Sequence, residues 1–353
     1  MDSLIGILFN NWFKILKENK FKVNNIYSFV FLLLSIRNSF YYHFKEKKYN
    51  DQIENVKLDK EPIFVLGHWR SGTTFLVNLL SLDNQFNYPK IYQVNNPYSF
   101  YYISNKFGDV LNNEEVIKRP MDNIKNSKQS PAEEEFAIAV MSLISSTWGW
   151  TFPQNYSFYE NYLDFKNVES VIVQKWKDTH LFFIKKLSLN DKRQLLLKSP
   201  GNSAKIKYLL ELYPNAKFIN IHRNPIEVYK SMQKLFNTTV EKGRFQSIEN
   251  VQDKIISTYK KLYQAYFEDL HLIPNENFID ISFEDLENDK INLLEQIYSK
   301  LKLDNFSALK SKILDMESTE AKYKKNIHND LDNKLKQKLL IEWRQSFEKW
   351  NYT

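Results

Sequence analysis

Residues 61–75, EPIFVLGHWRSGTTF, limit most strongly what this chain can fold into. An apolar run typical of a buried strand ends at Gly67, a second glycine follows at Gly72, and an amphipathic helical pattern begins at Thr73. A loop of this kind directs backbone N–H groups and the positive end of the helix dipole to one point. The segment therefore predicts an anion-binding loop in an α/β fold, although a glycine-rich turn without a ligand is the simpler alternative.

The loop has the glycine spacing of a nucleotide-binding P-loop but lacks its lysine. Thr73 stands where that lysine would follow the second glycine, and the nearest cation is Arg70, inside the loop. A nucleoside triphosphate with Mg²⁺ also needs an acidic residue for the metal, and the sequence offers no convincing one at a strand end. We therefore predict a phosphate held without metal by Arg70 and the amides of Ser71, Gly72, Thr73 and Thr74.

A second segment, KFINIHRNPIEVYKS at residues 217–231, repeats the pattern of a strand followed by a turn and a helix. Arg223 stands at the end of the strand, and Ser231 lies eight residues later on the helix that begins near Pro225. An arginine fork and a serine hydroxyl can bind the same phosphate. Two such sites at the carboxyl ends of parallel strands can face each other across a sheet. The alternative is an ordinary solvated arginine.

These two segments resemble the sulfotransferases that use 3′-phosphoadenosine 5′-phosphosulfate (PAPS), particularly the bacterial-type enzymes often grouped as family 3. The resemblance covers roughly residues 60–350 and includes the blocks RPMDN at 119–123, SPAEEEFA at 130–137, residues 195–218, SFEDLENDK at 282–290 and YKKNIHNDL at 323–331. It implies PAPS as co-substrate, with Arg70 and its loop at the 5′-phosphate and with Arg223 and Ser231 at the 3′-phosphate. It also implies a hydroxyl acceptor and direct, metal-free displacement.

Sulfuryl transfer needs aligned reactants, cations at the charged oxygens and a base for the acceptor proton. The resemblance places Lys198 near the sulfuryl group, although a surface lysine is the alternative. The favoured bases are Glu133 and Glu135 in the block at 130–137, where Glu134 competes with Glu135 for the active-site face. Ser130 is a plausible N-cap that would give Glu133 a structural role in a capping box.

Several further residues have two interpretations each. His68 is the rival base, since its ordinary pKa of about 6.5 suits proton transfer, but its place in the loop suits the phosphosulfate better. The resemblance implies that Phe75 lies near the adenine, but its apolar helix position suits the core equally well. His222 is more consistent with the core. Lys324 and Lys325 lie in a late loop that binds the 3′-phosphate or is simply solvated.

The pattern of strands predicts an α/β, P-loop-like three-layer fold with a central parallel sheet. Strands are expected at 62–66, 194–198, 217–222 and 277–282, and helical patterns long enough for right-handed crossovers separate them. Residues 56–353 are predicted to form the catalytic domain, and residues 1–55 an N-terminal amphipathic helical extension. The strand order cannot be read from the sequence alone.

The extension has two interpretations. Its apolar run at residues 26–36 is shorter than the roughly 20 residues that span a bilayer. The helices pack on the catalytic domain or on a second copy in a homodimer, or residues 1–45 contact a membrane surface through aromatic side chains and lysines. A cytoplasmic protein is expected, with peripheral contact to the inner face of the membrane under the second interpretation.

The composition limits which classes of partner are expected. The net charge of +7 suits anionic ligands, but no basic run is interleaved with aromatics as in a nucleic-acid groove, so nucleic acid is not expected as a partner. The absence of cysteine excludes disulfides and thiolate catalysis. The aromatic-rich segment 148–163 could line an acceptor pocket or belong to the core. Together with the amphipathic N-terminus it favours a lipid or glycan hydroxyl over other small molecules. A P-loop kinase and a non-catalytic, membrane-associated nucleotide-binding protein are the alternative functions.

Overall fold

The computed structural model describes residues 4–23, 25–112, 116–119, 124–319 and 330–352. Within these residues a five-stranded parallel sheet has the order β2-β5-β1-β6-β7, and a separate antiparallel pair joins β3 to β4. The strands are β1 (Ile63–Leu66), β2 (Phe86–Asn87), β3 (Ile117–Lys118), β4 (Lys125–Asn126), β5 (Gln194–Leu197), β6 (Lys217–His222) and β7 (Phe278–Ser282).

Helices account for most of the remaining described residues. They are α1 (Phe9–Glu18), α2 (Asn25–Tyr41), α3 (Asn50–Glu54), α4 (Thr73–Leu80), α5 (Ile91–Val94), α6 (Phe100–Asn112), α7 (Glu134–Ser142), α8 (Trp148–Thr151), α9 (Tyr156–Glu160), α10 (Ser170–Ser188), α11 (Ile206–Leu212), α12 (Pro225–Leu235), α13 (Glu241–Gly243), α14 (Val251–Asp269), α15 (Phe283–Asn288), α16 (Lys290–Lys300), α17 (Phe306–Thr319), α18 (Asn333–Glu342) and α19 (Arg344–Lys349).

Both faces of the sheet are covered because successive strand residues point to opposite sides. In β1, Phe64 and Leu66 enter a core with residues of α10, α11, α12 and α14. Ile63 and Val65 enter a second core with residues of α4, α15, α16 and α17. The three-layer α/β fold predicted from the sequence is therefore confirmed.

The parallel arrangement brings the ends of four neighbouring strands to one edge. Gly67 follows β1, Lys198 follows β5, Arg223 follows β6 and Phe283 follows β7. In an open parallel sheet this carboxyl edge is where ligands bind. The four predicted strands agree with the structure to within one residue at each end, and β2 is an additional edge strand of two residues.

The N-terminal helices pack against later parts of the chain. Trp12 and Phe31 lie in a cluster with Trp148 and Phe245, and Asn11 donates a hydrogen bond from Nδ2 to the carbonyl oxygen of Val140 at 2.9 Å. A buried ion pair fastens the end of the extension, since Lys186 Nζ lies 2.9 Å from Glu46 Oε1. Among the described residues, no helix has both the length and the apolar character needed to cross a membrane.

Candidate active site

The predicted anion-binding loop follows β1 and is shaped by two glycines. Gly67 has a φ of +138°, and a Cβ atom there would lie 2.4 Å from the carbonyl oxygen of Ile221. Gly72 has a φ of +105°, and a Cβ atom there would lie 2.3 Å from the ring of Phe283. Only a residue without a side chain fits such positions. Arg70, between them, is also left-handed, with a φ of 72°.

Helix α4 begins directly after Gly72. Helix geometry leaves the N–H groups of its first turn, including those of Thr73 and Thr74, without intrahelical acceptors. The helix dipole adds positive potential at the same place. The loop therefore has the donors and the field that an anion needs.

The two predicted phosphate-binding segments meet in space. Arg70 donates from Nε to Ser231 Oγ at 2.9 Å, and Arg223 donates from Nη1 to the carbonyl oxygen of Arg70 at 3.4 Å. The guanidinium carbon of Arg223 lies 4.6 Å from the ring centroid of Phe283. Residues 153 and 161 positions apart in sequence thus form one cationic corner at the carboxyl edge of the sheet.

Lys198 and Glu133 form an ion pair beside the loop. Lys198 Nζ lies 2.7 Å from Glu133 Oε1 and 3.3 Å from Thr74 Oγ1. The side chain of Lys198 is 5% exposed, whereas that of Glu133 is 17% exposed. The pair therefore places a cation and a carboxylate next to the first turn of α4, with the carboxylate the more accessible of the two.

The three consecutive glutamates have different environments. Glu134 is fully buried and accepts hydrogen bonds from the Lys198 N–H at 3.1 Å and from Asn202 Nδ2 at 2.5 Å. Glu135 is also buried and accepts a hydrogen bond from Ser145 Oγ at 2.5 Å. Glu133 is thus the glutamate that faces the loop and solvent, while Glu134 binds the backbone at Lys198 and Glu135 binds the side chain of Ser145.

The predicted helix start at Ser130 is wrong. Helix α7 begins at Glu134, and Glu133 is its N-cap residue without a side-chain capping bond. Ser130 instead accepts a hydrogen bond on Oγ from the N–H of Ser127, and Pro131 forms an isolated bridge with Lys90. This bridge holds the chain extended before Glu133, so the capping box does not form and the Glu133 side chain reaches Lys198.

Burial of Glu134 makes the stability of the protein depend on pH. Burial raises its pKa from 4.5 to about 7, against the hydrogen bond from Asn202, which lowers it. Between these values the folded state holds a proton that the unfolded state has lost, so stability should fall as pH rises. Relative to Glu134→Gln, the free energy of unfolding of the unmodified chain should fall by up to about 3 kcal/mol over this range. Urea denaturation at several pH values measures this free energy for both proteins. The same dependence on pH in both would contradict the raised pKa of Glu134.

The two histidines near the loop differ in exposure, since His68 is buried and His222 is half-buried. His68 is fully buried, donates from Nδ1 to the carbonyl oxygen of Trp69 at 2.8 Å, and has its pKa lowered to about 4 by burial. It is therefore neutral and not accessible to a bound alcohol in this conformation. His222 stacks on Trp350 with ring centroids 4.6 Å apart, and its Nδ1 lies 2.9 Å from the Tyr352 hydroxyl oxygen.

Two phenylalanine rings lie on one side of the cationic corner. Phe283 was not among the residues singled out from the sequence, although it lies in the SFEDLENDK block. Its ring centroid is 6.4 Å from that of Phe75, at an interplanar angle of 70°. Both rings therefore lie beside the loop. Lys324 and Lys325 lie outside the described residues.

The aromatic-rich segment 148–163 divides between core and site. Trp148, Phe152 and Tyr159 are buried against the N-terminal helices. Trp150 is half-buried, and its ring centroid lies 5.1 Å from that of Trp69 in the loop. A half-buried aromatic side chain therefore lies next to the loop. No group of three or more His, Cys, Asp or Glu residues among those described could hold a metal ion.

Comparison with known proteins identifies the class. The model of the sulfotransferase family, Sulfotransfer_3, matches residues 62–308, which is more than half of the chain. The chain belongs to the sulfotransferase family.

Two curated relatives are similar over nearly the whole length. The omega-hydroxy-beta-dihydromenaquinone-9 sulfotransferase Stf3 of Mycobacterium bovis is 28% identical over 355 residues, covering 99% of this chain and 90% of the relative. The protein of the same name from Mycobacterium tuberculosis gives the same values.

Solved structures support the fold. Sulfotransferase STF9 from Mycobacterium avium has a TM-score of 0.65 at 16% identity, over 85% of this chain and 80% of that one. Sulfotransferase STF1 from Mycobacterium tuberculosis has a TM-score of 0.58 at 19% identity, over 80% of this chain and 81% of that one. The P-loop-like α/β architecture inferred from the sequence is thus confirmed.

Proposed function

We propose that this sulfotransferase moves the sulfuryl group of PAPS to an acceptor hydroxyl by direct displacement without metal. The contact between Arg70, Ser231 and Arg223, beside the Lys198–Glu133 pair, is the observation that carries the proposal. PAPS has two separate phosphate groups, and we assign each of them a set of donors at this corner. The first-turn amides and Arg70 would hold the 5′-phosphate, and Arg223 and Ser231 the 3′-phosphate.

Each catalytic role falls to a residue at the carboxyl edge. In the displacement a bond forms between the acceptor oxygen and sulfur while the bond from sulfur to the 5′-phosphate oxygen breaks. Glu133 accepts the acceptor's proton, since it is the accessible glutamate of the three. Lys198, which also reaches Thr74, stabilises charge developing on the leaving oxygen. We assign Glu135 and His68 no contact with the reactants, because both are enclosed.

For the acceptor we propose a hydroxylated lipid, such as an isoprenoid quinone carrying a hydroxyl on its tail. The relatives from mycobacteria are named for a substrate of this chemistry. The aromatic contact of Trp150 with Trp69 supplies an apolar wall next to the loop. We further propose that Phe75 and Phe283 flank the adenine, because both rings stand beside the two phosphate positions.

Calorimetric titration with 3′-phosphoadenosine 5′-phosphate (PAP), and separately with Mg·ATP, tests the donor. PAP should bind without metal and more tightly than Mg·ATP. Arg223→Ala should weaken PAP binding by about 10- to 100-fold, because a hydrogen bond to a charged group contributes about 1.5 to 3 kcal/mol. Ser231→Ala should weaken it less, since a neutral hydroxyl is lost.

Arg344→Ala is the matched control. This exposed arginine on α19 pairs with Glu348 at 2.6 Å, far in sequence from the loop, and its loss should leave PAP affinity unchanged. Equal binding of PAP and Mg·ATP would overturn the donor assignment and favour the kinase alternative. PAP binding without sulfuryl transfer to any hydroxylated lipid would favour the non-catalytic alternative.

A further inference from the structure

Helix α2 turns polar side chains toward the protein and apolar side chains toward solvent. Its buried face contains the polar residues Ser35 and Asn38 together with Phe31. Its outward face, continued by the following turn, is apolar and 46% to 70% exposed, and consists of Phe29, Val30, Leu33, Ile36, Phe40 and Phe44. We call these six residues the outer stripe.

The inversion has a structural cause. Asn38 donates from Nδ2 to the carbonyl oxygens of Ile5 at 2.6 Å and Ile7 at 3.1 Å, which precede α1. Ser39 Oγ accepts a hydrogen bond from the N–H of Phe9 at 2.9 Å. These bonds fix the polar side of α2 against the body of the protein, so α2 cannot rotate its apolar residues inward without losing them.

The neighbouring helix adds to the exposed apolar area. Phe9 and Phe13 on α1 are 41% and 53% exposed, and Phe13 contacts Phe21 with ring centroids 5.7 Å apart. Contiguous apolar area of this kind marks a surface that binds something. The apolar segment is too short to span a bilayer, but its exposed face suits the interface between headgroups and acyl chains.

The charge of the N-terminal segment indicates what the stripe binds. Residues 1–48 contain eight Lys and Arg against three Asp and Glu, so they supply +5 of the chain's +7. Lys14, Lys17, Lys20, Lys22 and Arg37 are exposed. Of the acids, Glu46 is buried in its pair with Lys186. Anionic lipid headgroups complement this surface, whereas a second copy of the chain would bring two positive surfaces together.

We propose that α1 and α2 form a docking surface for anionic membranes, with the outer stripe inserted at the headgroup boundary. The surface is coupled to the active site through Asn11, whose Nδ2 donates to Val140 and Met141 near the end of α7, the helix that follows Glu133. About 10 Å of helix separates that contact from Glu133. A hydroxylated lipid could then be taken directly from the bilayer. This last step rests on the proposed acceptor, but the docking itself does not.

Vesicle flotation with the full chain tests the docking. The protein should float with vesicles of equal parts phosphatidylcholine and phosphatidylglycerol, float weakly with phosphatidylcholine alone, and be released by salt. Leu33→Gln combined with Ile36→Gln should weaken binding to the anionic vesicles by about tenfold or more. Lys14→Gln combined with Lys17→Gln should weaken it several-fold and flatten its salt dependence.

The matched control is Val171→Gln combined with Ile341→Gln, which replaces two aliphatic residues that are 65% and 73% exposed on α10 and α18. It should float as the unmodified chain does. Circular dichroism and the thermal midpoint establish that each variant is folded, and PAP binding is measured separately. Failure of the unmodified chain to float, or flotation unaffected by the change at Leu33 and Ile36, would overturn the proposal. So would a dimer that this change dissociates without any vesicle binding.

Discussion

Replacing Glu133 by glutamine should lower kcat by about 100- to 10,000-fold, which is the usual contribution of a general base. Glutamine keeps the shape and can still contact Lys198, but it cannot take the acceptor's proton. PAP affinity should change little, because Glu133 contacts the lysine and not the two phosphate positions. The measurement is the initial rate of transfer from radiolabelled PAPS to a hydroxylated isoprenoid quinone, with PAP affinity measured by calorimetry.

Replacing Lys198, alone and together with Glu133, tests whether the ion pair acts in catalysis. Lys198→Met should lower kcat by about 100- to 1,000-fold through loss of charge stabilisation. Because the two side chains touch, the double variant should lose less than the product of the single effects. The control is the exposed pair Lys260–Glu342, at 2.9 Å, whose replacement by Met and Gln should leave kcat within about twofold. A Glu133→Gln variant that retains most of its kcat would exclude this carboxylate as the base.

The sequence predicted those parts of the candidate site that depend on residues close together in the chain. The loop at Gly67–Gly72 and the turn at Arg223 each follow a strand directly, so the ends of β1 and β6 fix their positions once the sheet is parallel. Their meeting through Arg70 and Ser231 follows from the adjacency of β1 and β6. That adjacency is set by the strand order, which the sequence does not reveal.

The choice among the glutamates could not be predicted for a similar reason. Which of Glu133, Glu134 and Glu135 faces the loop depends on where α7 begins. Its start is set by the bridge between Lys90 and Pro131, about 40 residues apart in the chain. The capping pattern at Ser130 is a local signal that this tertiary contact overrides.

Phe283 and the outer stripe also depend on contacts between distant parts of the chain, which the sequence does not reveal. The position of Phe283 against Gly72 and Arg223 arises because β7 lies next to β6. The apolar run in α2 would normally indicate a buried face, yet hydrogen bonds from Asn38 to the segment before α1 turn it outward. Hydrophobic pattern gives the helix, whereas a few polar contacts decide which side meets solvent.

Gly67→Ala should destabilise the protein by about 3 to 5 kcal/mol, a large effect for one methyl group. The new Cβ atom would lie 2.4 Å from the backbone carbonyl oxygen of Ile221 and 2.7 Å from Ser71 Oγ, at a φ of +138° that alanine rarely adopts. The oxygen belongs to β6 and cannot move without breaking the sheet pairing next to β1. Any folded fraction should bind PAP poorly, because relief of the clash displaces the loop. Urea denaturation gives the free energy of unfolding.

Gly108→Ala is the control for adding a methyl group to a glycine. A Cβ atom at Gly108, inside α6, meets nothing within 4 Å. Alanine is preferred to glycine in a helix by about 0.8 to 1 kcal/mol, so this variant should be as stable as the unmodified chain or slightly more stable, with normal PAP affinity. If Gly67→Ala were destabilised by less than about 1 kcal/mol, the loop would have to tolerate a side chain there. The close approach of β6 would then not be what fixes the geometry of the anion-binding loop.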